Sequence, residues 1–547
     1  MKIKFLVSFY IVSSFLFSQL DFGANYELKY FDGKEDESDV LENYLDLNVY
    51  YNDWYLYSLF RFKDPALIGS PTKTFDEIYN IFYFEYYNNN LQLQIGDIFQ
   101  SYGAGLSMHT YEDRAIDYNN ALRGINILYY LRDNIDLFSM VGSNTFSSRT
   151  SPSILEPNIF LDNKIALFGF NYQNDFFDMH YLSQFNNQSI DSTTISNMKN
   201  YFDNSLGDYL KYRYQNNSSS LIQDFNMKIL EHNLGTTFYI KDLELYLEKS
   251  WIYHNKIGGE RNMGYRMYLS SYFSINGYGF LYEYKNYNTP YYYSVYSNPP
   301  IVFRESNSTL ISRNLHNVDF SNEIGHHILI NKSFSDQLNL VFSTACSFTP
   351  LMDNNSIISE PSYDQILSKM LFQKGDMSEY QDFKPYRQLY LEFNGITENE
   401  KIFYKIGFDK YLEYANGKII NARTVPTQFT LKLKKGNSIS AYLEHQVYED
   451  LSLSDRKYYT YFSPSYNHYG KWILSFFGDF DMKTRLLGVD DLKDGYLGLD
   501  LTYYITNNNI LSIFIGSQKG GLVCANGTCV MQPDFDNGFK VTSKIIF

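Results

Sequence analysis

From Leu20 onward the chain alternates between apolar and polar positions with period two. Leu91, Leu93 and Ile95 fall on one face of an extended segment and Gln92, Gln94 and Gly96 on the other. Ile402, Tyr404, Ile406 and Phe408 oppose Phe403, Lys405, Gly407 and Asp409, and Leu497, Leu499, Leu501 and Tyr503 oppose Gly498, Asp500 and Thr502. Each such run predicts a strand with one greasy face and one small or polar face. A water-soluble sandwich would alternate in the same way, so the connections must discriminate. Short turns at Asn52, Asn88, Arg132, Asn174, Lys241, Ser335, Thr397, Lys434, Asn467 and Thr506 alternate with longer polar connections. The longer ones begin near Phe62, Gln100, Asn186, Asn286, Thr349 and Met482. Short turns at one end and long loops at the other belong to an up-and-down transmembrane barrel, here of about 24 antiparallel strands, within about 22–26. An even count returns the C-terminus to the side where the N-terminus began. The last run, FKVTSKIIF, places Phe539, Val541, Ile545 and Phe547 opposite Lys540, Thr542 and Lys544.

The termini and composition agree with this class. Lys2 and Lys4 precede an apolar run from Phe5 to Phe17, with small Ser18 beside Gln19. That run is too short to cross a bilayer as a helix, so residues 1–19 are expected to be a cleaved signal peptide and residues 20–547 the barrel with its long loops. Aromatic residues make up 18% of the chain, with 54 Tyr and 44 Phe, which suits strands and interfacial girdles where a ring is buried and a hydroxyl stays wet. A net charge of −15 and the lack of a basic stripe argue against a nucleic-acid partner. No nucleophile elbow, metalloprotease motif, phosphate loop or dinucleotide fingerprint is present, so no cofactor, metal or catalytic residue is assigned.

One stretch departs from the tyrosine-rich alternation. Between Gly96 and Tyr130, Gly103, Gly105, His109, Glu112, Asp113, Arg114, Asp117 and Arg123 are gathered between two predicted strands, on the long-loop side. The glycines permit tight or left-handed backbone, and the mixed charges permit ion pairs. His109, Glu112, Asp113, Arg114, Asp117 and Arg123 are therefore candidate lumen or constriction residues, where rings of charge select what passes. The plainer alternative is that these charges cross-link neighbouring strands. Ser107 and His109 would share one strand face, too far apart for a direct nucleophile-to-base hydrogen bond, so a membrane hydrolase is not expected.

Cys524 and Cys529 flank a turn at Asn526 and Gly527 and are expected to form a disulfide stapling a surface hairpin, with metal binding by the pair as the alternative. Cys346 shares a face with Leu338, Leu340 and Phe342 and is expected to face lipid. His326 and His327 are adjacent, point to opposite faces and are read as ordinary strand residues. The loops from Asn186 to Ile222, Asn286 to Asn317 and Thr349 to Pro385 are long enough to cap, plug or bind, and the Asn/Ser-rich patch from Asn216 to Ser220 is expected to be unstructured.

The elements GD at Gly96, GAGL at Gly103, YEDR at Tyr111 and DYNNALRG at Asp117, with the tail GSQKGGLVCANGTCVMQPDF and a terminal Phe, resemble a domain-of-unknown-function family of bacterial outer-membrane barrels. The resemblance implies a barrel in the outer membrane and carries over no activity. The expected function is a porin-like channel or carrier for an unidentified solute. The alternative is a surface-binding or structural barrel whose outer loops hold a partner or polymer. Expected partners are outer-membrane lipid, the barrel-assembly machinery through the C-terminal strand, and that solute or surface partner.

Overall fold

The computed structural model describes residues 20–547 apart from 34–38, 73–77, 150–156, 195–224, 256–260, 290–294, 306–307, 314–315, 317, 336, 350–351, 354–355, 358–383, 416, 483–491, 526–527 and 533. The signal-peptide expectation for residues 1–19, the Asn216–Ser220 patch and most of the loop expected from Thr349 to Pro385 lie outside the described residues.

Twenty-four antiparallel strands form one closed sheet. The first strand, Asp21–Asp32, pairs forward with Val40–Tyr51 and backward with the last strand, Phe535–Ile546, from Asn25 opposite Ile546 to Asp32 opposite Phe539. Closure leaves no edge whose N–H and C=O groups would face hydrocarbon unpaired, at a cost of several kcal/mol each. The outer face is apolar: Val141 is 58% exposed, Phe168 61% and Ile515 61%. Buried polar side chains such as Asn126, Glu231, Glu248, Asp409 and Glu444 lie on the inner face. Exposed aliphatic and aromatic residues over a polar interior invert the pattern of a water-soluble protein, and this barrel is membrane-embedded.

Three features differ from the sequence expectation. A hairpin turn at Asn276 (φ 50°) and Gly277 (φ 74°) joins Arg261–Ile275 to Tyr278–Asn288. Asn-Gly is the expected pair for such a turn, and it adds a member to the series of short turns between Lys241 and Ser335. The strand Phe177–Ile190 also runs past Asn186, the expected start of a loop, because Asn186 and Gln188 are inward-facing, buried strand residues. Finally, the inner face is not uniformly small or polar. Leu122, Phe138, Met140, Leu161, Ile165, Leu167, Leu182, Ile229 and Ile252 form one buried apolar cluster inside the barrel. A wall of 24 strands encloses more space than its own side chains can fill, and this cluster is where chain folded into the lumen packs against it.

Candidate functional site

Two connections from the long-loop end enter the lumen. The first, residues 99–121, follows the strand Leu91–Ile98 and precedes Leu122–Arg132. Tyr102 stacks on Phe138 with ring centroids 4.1 Å apart. At Gly103 the chain turns with φ 59°, and a Cβ there would lie 2.5 Å from the His180 ring and 2.7 Å from Glu248 Oε2, so only glycine fits. The Ala104 N–H then donates to Glu248 Oε2 (2.6 Å) and to the Tyr246 hydroxyl (3.0 Å), and Arg266 Nη1 donates to the Leu106 carbonyl (2.7 Å).

The returning half forms a small hairpin, Glu112–Asp113 against Tyr118–Asn119, that reaches another part of the wall. Arg114 grips Asp46 through both terminal nitrogens (3.1 and 2.5 Å), with Glu112 at 3.3 Å from its Nε and the Tyr57 hydroxyl 3.0 Å from Nη2. Asp117, held at φ 53°, accepts from Lys63 Nζ (2.8 Å) and Arg61 Nη1 (3.3 Å). The segment thus bonds to strands Val40–Tyr51 and Trp54–Lys63 on one side and to Leu243–Asn255 and Arg261–Ile275 on another, and it crosses the lumen.

The second segment, residues 289–321, follows Tyr278–Asn288 and precedes Asn322–Ser335. It is stitched to the first: the His109 N–H donates to the Tyr296 carbonyl (2.6 Å), the Asn298 N–H to the Gly105 carbonyl (3.0 Å) and Asn120 Nδ2 to the Val295 carbonyl (2.8 Å). Val295 and Tyr296 join the apolar cluster. Farther along, the Arg304 guanidinium sits 4.2 Å from the Tyr390 ring centre and 3.5 Å from Glu392. A one-turn helix, Thr309–Ser312, presents the N–H groups of Thr309 and Leu310 to the two Glu444 oxygens (2.7 and 2.6 Å). These are donors that a helix start leaves without an intrahelical partner. Arg313 pairs with Asp479 through both terminal nitrogens. His316, stacked on Tyr386 at 4.0 Å, is bridged by Glu413 (2.8 Å) and Glu323 (2.9 Å), and Lys285 reaches Glu323 at 2.7 Å.

Burial alone would depress the His316 pKa, but hydrogen bonds and charge from Glu323 and Glu413 outweigh it and hold the imidazole above its ordinary value. Burial lowers His109, favouring its neutral form, and raises Glu112 despite the neighbouring Arg114.

The structure brings Glu112, Arg114 and Asp117 into one charged cluster with Asp46, Arg61 and Lys63. Asp113 accepts from the Ala115 N–H (2.9 Å) and shapes the turn. Gly105, at φ 80°, lies against the second segment. Arg123 departs from expectation. It pairs with Asp97 (3.0 Å), its side chain is 62% exposed, and it shares the outer face with Ile125 and Ile127, because strand alternation sends odd positions outward there. His109 Nδ1 is paired with Ser101 Oγ (2.9 Å), whereas Ser107 is buried beside Glu231. His327 faces inward to Glu283 (2.7 Å) and His326 bonds to Tyr282 (2.9 Å). Cys346 is a free thiol. Backbone pairing sets Cys524 opposite Cys529 in a hairpin packed on the helix, while their side chains lie outside the described residues. Among the described residues, no group of three or more His, Cys, Asp or Glu side chains could hold a metal ion.

Sequence reasoning missed the anchors on the wall: Asp46, Glu248, Arg266, Glu392, Glu444 and Asp479. A signal was available on the opposite wall. Runs such as IFLDNKIALFGF are apolar on both faces, as in strands covered on both sides, which points to chain packed inside the barrel.

Residues 18–547 match the model of a family of unknown function, DUF6029. The chain belongs to that family. No curated protein shows significant sequence similarity to this DUF6029 member. Among solved structures it is similar to the siderophore receptor PirA from Pseudomonas aeruginosa (6% identity, TM-score 0.45, covering 96% of this chain and 80% of that one). It is also similar to the copper transporter OprC (10%, 0.42, 97% and 80%) and to the ferric citrate transporter FecA in its unliganded form (10%, 0.43, 96% and 79%).

Proposed function

We propose that this protein is a channel or carrier of the bacterial outer membrane, whose lumen is closed at rest by residues 99–121 and the described part of the second segment, from Val295 onward. The observation that carries the reading is the pair of segments hydrogen-bonded to each other and to well-separated parts of the wall. A barrel serving only as an anchor has no need to bury Glu248, Glu444 and Asp479 against its own loops, since each buried charge must be matched by placed donors. Inward packing of the described part of the second segment, from Val295 onward, likewise favours transport over a projecting, partner-holding surface.

The test is single-channel conductance of purified protein in planar bilayers, with and without residues Gly103 to Asn120. The intact barrel is expected to be nearly silent and the deletion to conduct steadily; silence in both would overturn the channel reading. We also infer export by a cleaved leader and assembly through the C-terminal strand. Both are checked by outer-membrane fractionation and by heat-modifiable migration of the chain with and without Phe547.

A further inference from the structure

Beneath the first inward segment, on the side facing the short turns, lies a cavity of about 460 Å³. This is within the range of about 300–1,000 Å³ common for small-molecule pockets. Its lining carries five carboxamides, those of Gln92, Gln100, Asn126, Asn171 and Gln173, together with His180, Leu128 and the backbone turn at Tyr102 and Gly103. Among the described residues no Lys, Arg, Asp or Glu lines it. Asn126 Oδ1 in this lining is buried without a hydrogen-bond partner, an acceptor open to a ligand donor.

A row of inward-facing rings lies on the neighbouring strands. Tyr50 stacks on Tyr55 (4.5 Å), Tyr55 meets Tyr83 edge-on (5.8 Å), Tyr83 stacks on Tyr57 (5.0 Å) and meets Phe99 (6.2 Å). The strands of the row adjoin the cavity lining: Gln92 Nε2 approaches the Tyr87 hydroxyl at 3.4 Å, and Phe99 of the row precedes Gln100 of the lining. By register Tyr83 and Tyr87 share the inner face of one strand, and Tyr87 lies opposite Gln92 and Gln92 opposite Leu128.

We propose that this surface binds a neutral oligosaccharide, and that the solute of the channel reading, on which this inference rests, is of that class. Carboxamides donate and accept at once, as sugar hydroxyls do, so five of them around a cavity can satisfy a polyol without charge. Flat aromatic faces take the C–H faces of sugar rings, and the stacked pairs Tyr50–Tyr55 and Tyr57–Tyr83 leave one face of each ring outside the stack. Within the cavity itself an anionic solute would find no cation and a cation no carboxylate; the carboxylates near the ring row, Glu85 and Asp46, are taken up by the Tyr87 and Tyr57 hydroxyls. The site opens toward the short turns, so the sugar reaches it from that end while the inward segments are docked.

The test is binding to the intact purified barrel of a mixed panel of neutral hexasaccharides, α-1,4-glucan, β-1,4-glucan, β-1,4-mannan and β-1,4-xylan, followed by equilibrium dialysis. N-acetyl-trialanine amide and inorganic phosphate serve as unlike probes. At least one sugar is expected to bind, and Tyr83→Ala and Asn171→Ala are each expected to weaken it by roughly fivefold to tenfold without altering heat-modifiable migration. Tyr83→Phe should retain most of the affinity, since it keeps the ring. Retention of none of the sugars, tighter retention of the peptide or phosphate, or sugar binding indifferent to both alanine variants would overturn the assignment. Conductance of the loop-deleted barrel is read separately, so a failed ligand class and a failed channel reading give different results.

Discussion

The two sides of the lumen hold the second closing segment by different physics, and the apolar side also takes up part of the first. From Leu122–Arg132 round to Leu243–Asn255, the inner wall contributes Leu122, Phe138, Met140, Leu182 and Ile252 to an apolar cluster that takes up Tyr102, Met108, Val295 and Tyr296. From Tyr386–Ile396 round to Trp472–Met482, the wall is acidic, and Glu392, Glu413, Glu444 and Asp479 grip Arg304, His316, the helix start and Arg313. Burial of apolar side chains, worth about 1.5–3 kcal/mol each, is indifferent to pH and requires no matched partner. Buried charges are attractive only while every partner is in place, because their desolvation cost is close to the gain. The apolar side is therefore the fixed attachment and the acidic side the one that can release.

Truncating the fixed side should have the largest effect. Phe138→Ala is expected to weaken docking of residues 99–121 by about 3–5 kcal/mol, seen as frequent opening in conductance records and as new proteolytic cleavage within that segment. Unchanged records and digestion would mean the apolar cluster is not the attachment. On the acidic side, Glu444→Gln should cost about 1.5–3 kcal/mol, the range for hydrogen bonds to a charged group. Cleavage should then appear in residues 295–321 while residues 99–121 stay protected. Simultaneous loss of both segments would show one cooperative plug in place of two attachments.

The comparison sharpens with pH. His316 has a folded-state pKa above its ordinary value, so its contribution is full below the ordinary histidine pKa and is lost as pH rises through the raised one. Protection of residues 295–321 from protease should fall as pH is raised from about 6 to about 9, and His316→Gln should flatten the profile. A profile unaltered by that substitution would assign the pH response elsewhere. Smallest of all, Arg123→Ala should change thermal stability by less than about 1 kcal/mol and leave conductance unchanged, since its pair with Asp97 lies on the outer face.

Much of this was legible in the residues. Period-two alternation, strand count and terminal strand all follow from local chemistry, since a lipid-facing side chain must be apolar wherever the strand sits, as Leu497, Leu499 and Leu501 are. The charged stretch after Phe99 was legible as something that enters the lumen, because glycines and mixed charges are out of place in a tyrosine-rich wall. Its partners were not. Arg114 and Asp46 are 68 positions apart, and Ala104 and Glu248 are 144 apart, so no spacing rule reaches them. Arg123 was misassigned because the charged motif runs without a break into a strand, where alternation turned that side chain outward.

The sequence by itself determined that this chain crosses a membrane as a closed barrel, because hydrocarbon tolerates only one pattern along a strand and that pattern is local. The tertiary structure decided what fills the lumen, which wall holds it by apolar contact and which by charge, and where a cavity remains. Those depend on which distant strands face one another across the barrel, and that is set only when the sheet closes, Asn25 against Ile546.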